Sequence, residues 1–497
     1  MAHASPLPVS STPTESCEAT SPYPFKPYSL TSLDQTIPSS HHYTSLLFSL
    51  PPDHVPHALN RLEGAVLRLI SHYPFLTGNV TSSLPSNASS TLNNSDNAFE
   101  VQPVTASLMQ HIPMLQTQHH SATSTFPPSN HANHTFLPFP QFSLPTEPSP
   151  SLRCKANVVG TKLMLVFGWD TRVMDPGAVF AVVRALAEFC RDPMAAREEL
   201  PVSDPWSEAQ GQGKRACDDV FSGLGLSSAV HIRQGSTGPR TWMGMTPIEQ
   251  VSSMSETRTA RLNGDKIAML TDACNLLVRR VGGGALPGRL YQEDVVSAVL
   301  GVVGSRARGH RDDSYSRSET AYADEDEGTI SVATDLRHLS PLPSSTTYMG
   351  NATVSIPVPT RPNNLPVLVG SQMRSLLPDI SPRDLYRICN VAVSLRGGIS
   401  ALDKGRELNT SLNTNEKAGT GNSMQIHSLR PLDFYMDFGP LGRVRDVKAP
   451  GSRENGTCWI LPEHETGGWD VAVTVEQKAM EKLSADRLVR WVVGGGF

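Results

Sequence analysis

Within six residues, Asp170-Thr171-Arg172-Val173-Met174-Asp175, the chain sets two carboxylates, a hydroxyl and a guanidinium. A carboxylate can take a proton or hold another group in place. The hydroxyl of Thr171 can orient an acceptor or a water, but it does not ionise usefully near neutral pH and cannot serve as a general base. Asp170 is the segment's candidate base, with two arguments against it. An unperturbed Asp titrates near ~3.9, too low for such a proton transfer unless burial raises it. Strand alternation also sends Asp170 and Thr171 to opposite faces if the strand runs that far.

The flanking text shows how these residues are positioned. Leu163 to Trp169 is an apolar run of strand length. Asp175 stands where a helix N-cap belongs, and Pro176 follows at the first helical position, which suits its fixed φ and missing N–H. Val179, Val182, Val183, Leu186 and Phe189 then recur at helical spacing, so that face must be buried. A turn held between a buried strand and a buried helix places polar groups accurately.

A chain of 497 residues is too long for one ordinary core, so two domains of about 200 residues or more are expected. Hydrophobic content of 38% is low because of Ser/Thr/Pro/Asn-rich segments, not because of charge. A net charge of −5 gives no electrostatic reason to expect nucleic acid or a membrane surface as partner. No run approaches the ~18 apolar residues of a membrane span, and no leader pattern opens the sequence. The seven scattered cysteines lack any C-x-x-C pair and read as reduced thiols of a cytoplasmic protein, expected to be monomeric. His111, His119, His120, His131 and His134 fit no tetrahedral ligand set, so no metal site is expected.

In chain order, residues 1–22 read as a disordered tail, 23–200 as an N-terminal domain, 201–245 as a crossover linker and 246–497 as a C-terminal domain. The first domain opens with a strand at Tyr43 to Leu50 and an amphipathic helix at Asp53 to Tyr73. The second carries a strand and helix over Thr257 to Val281 and a helix over Gln292 to Arg308. A strand over Thr329 to Leu336, a helix over Asp379 to Ser394 and an alternating strand over Trp469 to Val475 complete it.

Several of these segments together resemble the BAHD acyltransferases, in particular their fungal, trichothecene 3-O-acetyltransferase-like branch. The carriers are Leu33-Asp34-Gln35, the Tyr73-Pro74 turn ending in Gly78, the Asp170–Asp175 segment, Asp335 and Arg337 with Pro341, Pro343, Tyr348, Gly350 and Asn351, and Asp437-Phe438-Gly439. In the family the Asp175 position closes a His-x-x-x-Asp motif whose His is the general base. Here Thr171 replaces that His, and Pro176 replaces the Gly after the Asp, with Gly177 one position later.

The resemblance implies an α/β fold of two chloramphenicol-acetyltransferase-like domains, mixed sheets flanked by helices, with the site between them. It implies transfer of an acyl group, foremost acetyl, from acyl-CoA as co-substrate to a hydroxyl of a small secondary metabolite, with no bound cofactor. Thr171, Asp175, Asp170 and Asp437 are the candidate catalytic positions. Asp335 and Arg337 are candidates for lining the acyl-CoA channel, against the plainer reading of a structural ion pair. The Asp170–Asp175 turn and the Asp437–Gly439 segment are expected to line or support one channel. The missing His keeps a second reading open: a degenerate or repurposed relative that binds a small molecule without acyl transfer.

Overall fold

The computed structural model describes residues 21–82, 99–139, 148–193, 255–309, 329–338, 349–359, 377–404, 424–448, 455–463 and 467–494, and residue 215. Within those spans, 32–33, 35–36, 38–39, 122, 127–133, 282–287 and 378 are excepted. The expected tail, apart from residues 21 and 22, and the expected linker, apart from residue 215, lie outside the described residues. So do Gln35, His131, Pro341, Pro343 and Tyr348.

Fifteen strands are described, in chain order β1 Tyr28–Ser29, β2 His41–Ser49, β3 Asn79–Ser82, β4 Phe99–Gln102, β5 Leu115–His119, β6 Ser149–Pro150, β7 Leu152–Val159, β8 Lys162–Asp170, β9 Ser255–Leu262, β10 Thr329–Asp335, β11 Thr353–Pro359, β12 Met424–Ser428, β13 Asp446–Lys448, β14 Thr457–Ile460 and β15 Trp469–Glu476. The described α-helices are α1 Val55–His72, α2 Ala106–His111, α3 Pro176–Arg191, α4 Gly264–Val281, α5 Gln292–Arg308, α6 Pro382–Asp403, α7 Gln477–Ala485 and α8 Arg487–Val493.

Two mixed sheets carry the architecture. In the first half the order is β13-β2-β8-β7-β5, antiparallel except for the β5–β7 pair. In the second it is β11-β10-β12-β14-β15-β9, with β10, β12 and β14 parallel. A small antiparallel sheet, β1-β4-β3-β6, sits beside the first. The strand β8 is buried from Leu163 to Asp170, which is why it reads as a continuous apolar run rather than an alternating one.

The first core packs α1 and α3 against the face of β2 and β8 that carries Leu46, Phe48, Leu163, Leu165, Phe167 and Trp169. The second packs α4 to α8 on the larger sheet, with Val295, Val296, Val299 and Val303 of α5 buried as their spacing predicts. The chain crosses between the halves near its end. β13 adds to the edge of the first sheet, Val447 opposite Leu46. The first core also takes in Leu429, Phe434, Phe438 and Leu441, all beyond the expected boundary at 246.

Candidate active site

The β2–β8 ladder continues past its last named pair, His41 with Asp170. The Thr171 N–H donates to the Ser40 carbonyl at 3.0 Å, and the Thr171 and Ser40 hydroxyls lie 3.1 Å apart. Strand order therefore holds through Thr171, and parity splits the segment. Asp170 shares one face with His41. Thr171 shares the other with Ser40, His42 and Trp169.

Asp170 is fully buried and its carboxylate is fully engaged. Arg172 Nε donates to Oδ1 at 3.0 Å, Arg172 Nη2 to Oδ2 at 2.7 Å and the Arg172 N–H to Oδ1 at 2.9 Å. The guanidinium in turn lies over Phe99, 4.6 Å from its ring centroid. Geometry thus makes Asp170 half of a buried ion pair facing away from Thr171, an arrangement unsuited to a base.

Asp175 occupies the N-cap of α3, accepting from the Ala178 N–H at 2.8 Å, and does more. Its carboxylate meets both Arg337 nitrogens, Nη2 to Oδ1 at 3.0 Å and Nη1 to Oδ2 at 3.1 Å. It also accepts from the Ala352 N–H at 2.7 Å and the Thr353 hydroxyl at 2.8 Å. These partners come from the turn after β10 and from the start of β11 with the residue before it, so one side chain ties the first half to the second. Burial pushes the Asp175 carboxyl up, but the Arg337 charge and these hydrogen bonds outweigh it and hold it below the usual carboxylate range.

Asp335 and Arg337 are spent on the same knot. Arg337 Nη1 reaches Asp335 Oδ1 at 3.0 Å, and Arg337 also donates to the Gly350 carbonyl. The acyl-CoA role expected of this pair is not what their contacts show; the structural ion pair is. Gly177 explains itself here. A Cβ on it would come within 2.6 Å of Asp335 Oδ2 and 2.7 Å of Arg337 Nη1, so only a glycine lets the guanidinium lie against the first turn of α3.

A second tie runs through Asn351. Its Nδ2 donates to Asp34 Oδ1 at 2.8 Å and to the carbonyls of Thr171 at 3.0 Å and Arg172 at 2.9 Å. Asp34 also caps its own loop, accepting from the Thr31 N–H at 2.7 Å. Asp34 and Asn351 are thus parts of one brace that fixes the two successive carbonyls of Thr171 and Arg172.

Asp437 lies elsewhere. Its carboxylate accepts from the Gly439 N–H at 3.1 Å, and Asp437 forms a lone β-bridge with Arg443. Gly439 abuts Arg191 and Cys190 at the C-terminal end of α3. Asp175 caps the other end of that 16-residue helix, roughly 24 Å away at 1.5 Å per residue. The expected shared channel is therefore corrected: the Asp437–Gly439 segment shapes the distal end of α3, and its Asp does not reach Thr171.

Sequence reasoning passed over the groups that do sit beside Thr171. His42 faces Trp169 across the strands, ring centroids 6.0 Å apart. From the second half, Trp459 on β14 approaches His42 to 5.4 Å and His427 on β12 to 6.2 Å, the latter stacked on Trp459 at 4.5 Å. The two adjacent histidines 41 and 42 were the available signal. Their assignment needed the register of β2 against β8, which the sequence alone does not supply. Among the described residues, no group of His, Cys, Asp and Glu side chains forms a metal site.

No family model matches the chain. It is 26% identical over 520 residues to fumigaclavine B O-acetyltransferase easN of Aspergillus fumigatus, covering 94% of this chain and 98% of that one. It is 25% identical over 524 residues to the O-acetyltransferase pyr7 of the same fungus, covering 97% and 95%. Among solved structures it resembles F. sporotrichioides TRI101 complexed with coenzyme A and T-2. The TM-score is 0.58 at 18% identity, over 94% of this chain and 99% of that one. The fold is the α/β fold of that structure, with mixed sheets flanked by helices.

Proposed function

We propose that the protein is an acyl-CoA-dependent O-acyltransferase that moves an acyl group, foremost acetyl, to a hydroxyl of a small secondary metabolite. One observation carries this reading: a likeness running nearly end to end, 94% of this chain against 98% of fumigaclavine B O-acetyltransferase easN. The site geometry supports it. Attack of a hydroxyl on a thioester needs a fixed acceptor position, a proton acceptor and shelter from water. The turn at Thr171 is fixed by Asn351 and Asp175, and on the same strand face His42 meets His427 and Trp459 of the second half. The structure of TRI101 holds coenzyme A together with T-2, which supports acyl-CoA as donor and a small molecule as acceptor.

The test is release of free CoA from acetyl-CoA by the purified chain over a panel of hydroxyl-bearing small molecules. Acceptor-dependent release is expected. Thr171, standing where the family carries its base, favours the second reading, a binding protein without transfer. Calorimetric binding of acetyl-CoA and acceptors with no CoA release would establish that reading instead.

A further inference from the structure

We propose that His42 is the general base of the reaction, taking up on the neighbouring strand the proton that Thr171 cannot accept; this rests on the acyl-transfer reading above. Ser40 pairs with Thr171, and His42 lies two residues further along β2 on the same face. Two strand residues span about 6.6 Å, so the imidazole is one side chain removed from the motif position. The ring also sits at the seam between the halves. Trp169 flanks it on β8, while Trp459 and His427 approach it from β14 and β12.

Two buried ring nitrogens there, His42 Nε2 and Trp169 Nε1, have no hydrogen-bond partner among the described residues. Buried polar groups are rarely left so, and a pair of them on facing residues marks a place where a ligand supplies the partners. The other candidates are committed. His41 turns to the opposite face and its Nε2 lies 2.6 Å from the Ser149 hydroxyl. Asp170 belongs to Arg172.

His427 of β12 faces His42, while His41 and Asp170, on the other face of the sheet, act on its ring only through their charge. Burial, with His41 second, lowers its imidazole to about 4 against the opposing pull of Asp170, so at neutral pH the ring is neutral but a weak base, and the negative charge developing on the attacked carbonyl is what favours the imidazolium as the proton moves.

The step balances as follows. The acceptor oxygen forms a bond to the thioester carbonyl carbon, the carbonyl electron pair moves to its oxygen, and the hydroxyl proton passes to His42. The tetrahedral species then collapses, the C–S bond breaks, and the imidazolium returns its proton to the departing thiolate. An ester and free CoA result, with His42 neutral again.

The test compares CoA release by the parent, His42→Gln, His427→Gln, and His42→Gln carrying Thr171→His. His42→Gln is expected to lose on the order of 10²–10⁴ in kcat while still binding acetyl-CoA, and the added Thr171→His to recover part of it. In the parent, inactivation by diethyl pyrocarbonate should track modification of His42 by peptide mass spectrometry, with hydroxylamine restoring activity. This readout holds even if His42→Gln does not fold. An active parent with His42→Gln within tenfold of it, or inactivation that tracks another histidine, overturns the proposal and leaves acyl transfer standing. So does loss confined to His427→Gln. A parent that releases no CoA with any acceptor overturns both.

Discussion

Arg337 closes a two-pronged ion pair on Asp175, 3.0 and 3.1 Å, from the opposite half of the molecule. The side chains are 13% and 5% exposed, so neither charge has water to fall back on. A cap alone is worth roughly 0.5–2 kcal/mol, whereas removing one partner of a buried pair costs roughly 3–5 kcal/mol. Asp175→Ala is therefore expected to sit in the higher range, with Asn, which keeps an oxygen for the Ala178 N–H, tolerated better. Urea titrations of both variants decide it. A loss within the cap range for Ala would show that Arg337 finds other partners.

Asp170 makes a sharper case because a buried carboxylate next to Thr171 invites a catalytic role. Both oxygens are held by Arg172 on the face away from Thr171. Asp170→Asn is expected to destabilise by about 3–5 kcal/mol and, at a temperature where the variant is folded, to lower kcat less than about tenfold. Loss beyond about a hundredfold with near-ultraviolet dichroism intact would return Asp170 to the reaction.

At the far end of α3, Gly439 has φ +62°, and a Cβ there would meet Arg191 Cα and the Cys190 carbonyl, both at 3.0 Å. Gly439→Ala combines a left-handed backbone with a close approach to helix backbone. About 1–3 kcal/mol of stability should be lost. Asp437→Ala should act through the same turn. Neither should change the acceptor KM, and steady-state kinetics on the folded variants would show whether this segment touches substrate after all.

The elements around the site were legible because each declares itself locally. Asp175 followed by Pro176 is an N-terminus by cap chemistry and fixed φ, and α3 begins there. The spacing of Val295, Val296, Val299 and Val303 gives a buried helix whatever packs on it. What stayed hidden depends on pairing across long separations. Nothing near Val447 says that it will lie opposite Leu46, and nothing near Asn351 says that its amide will brace Asp34 and Thr171. The parity argument for Asp170 was sound because the ladder runs on to Ser40. Applied to His42 it would have needed the same register from the partner strand. The Asp437–Gly439 segment misled for a related reason: its order along the chain matched, but order does not fix which end of α3 it meets.

His42 gives the pH dependence a defined sign. Its imidazole is lowered by burial to about 4 in the folded chain, against 6.5 for an ordinary histidine. Between those values the unfolded chain binds this proton and the folded chain does not. Stability from this group is therefore complete above 6.5, declines as pH falls toward 4, and changes no further below. The parent should lose Tm relative to His42→Gln across that window, since the glutamine has no proton to take up. Activity should follow the folded group instead, staying level through pH 6.5 and declining only as the medium approaches 4, wherever the chain remains folded. Melting curves of the two proteins that run parallel from pH 7 to 4 would show that the His42 imidazole is not lowered by its surroundings.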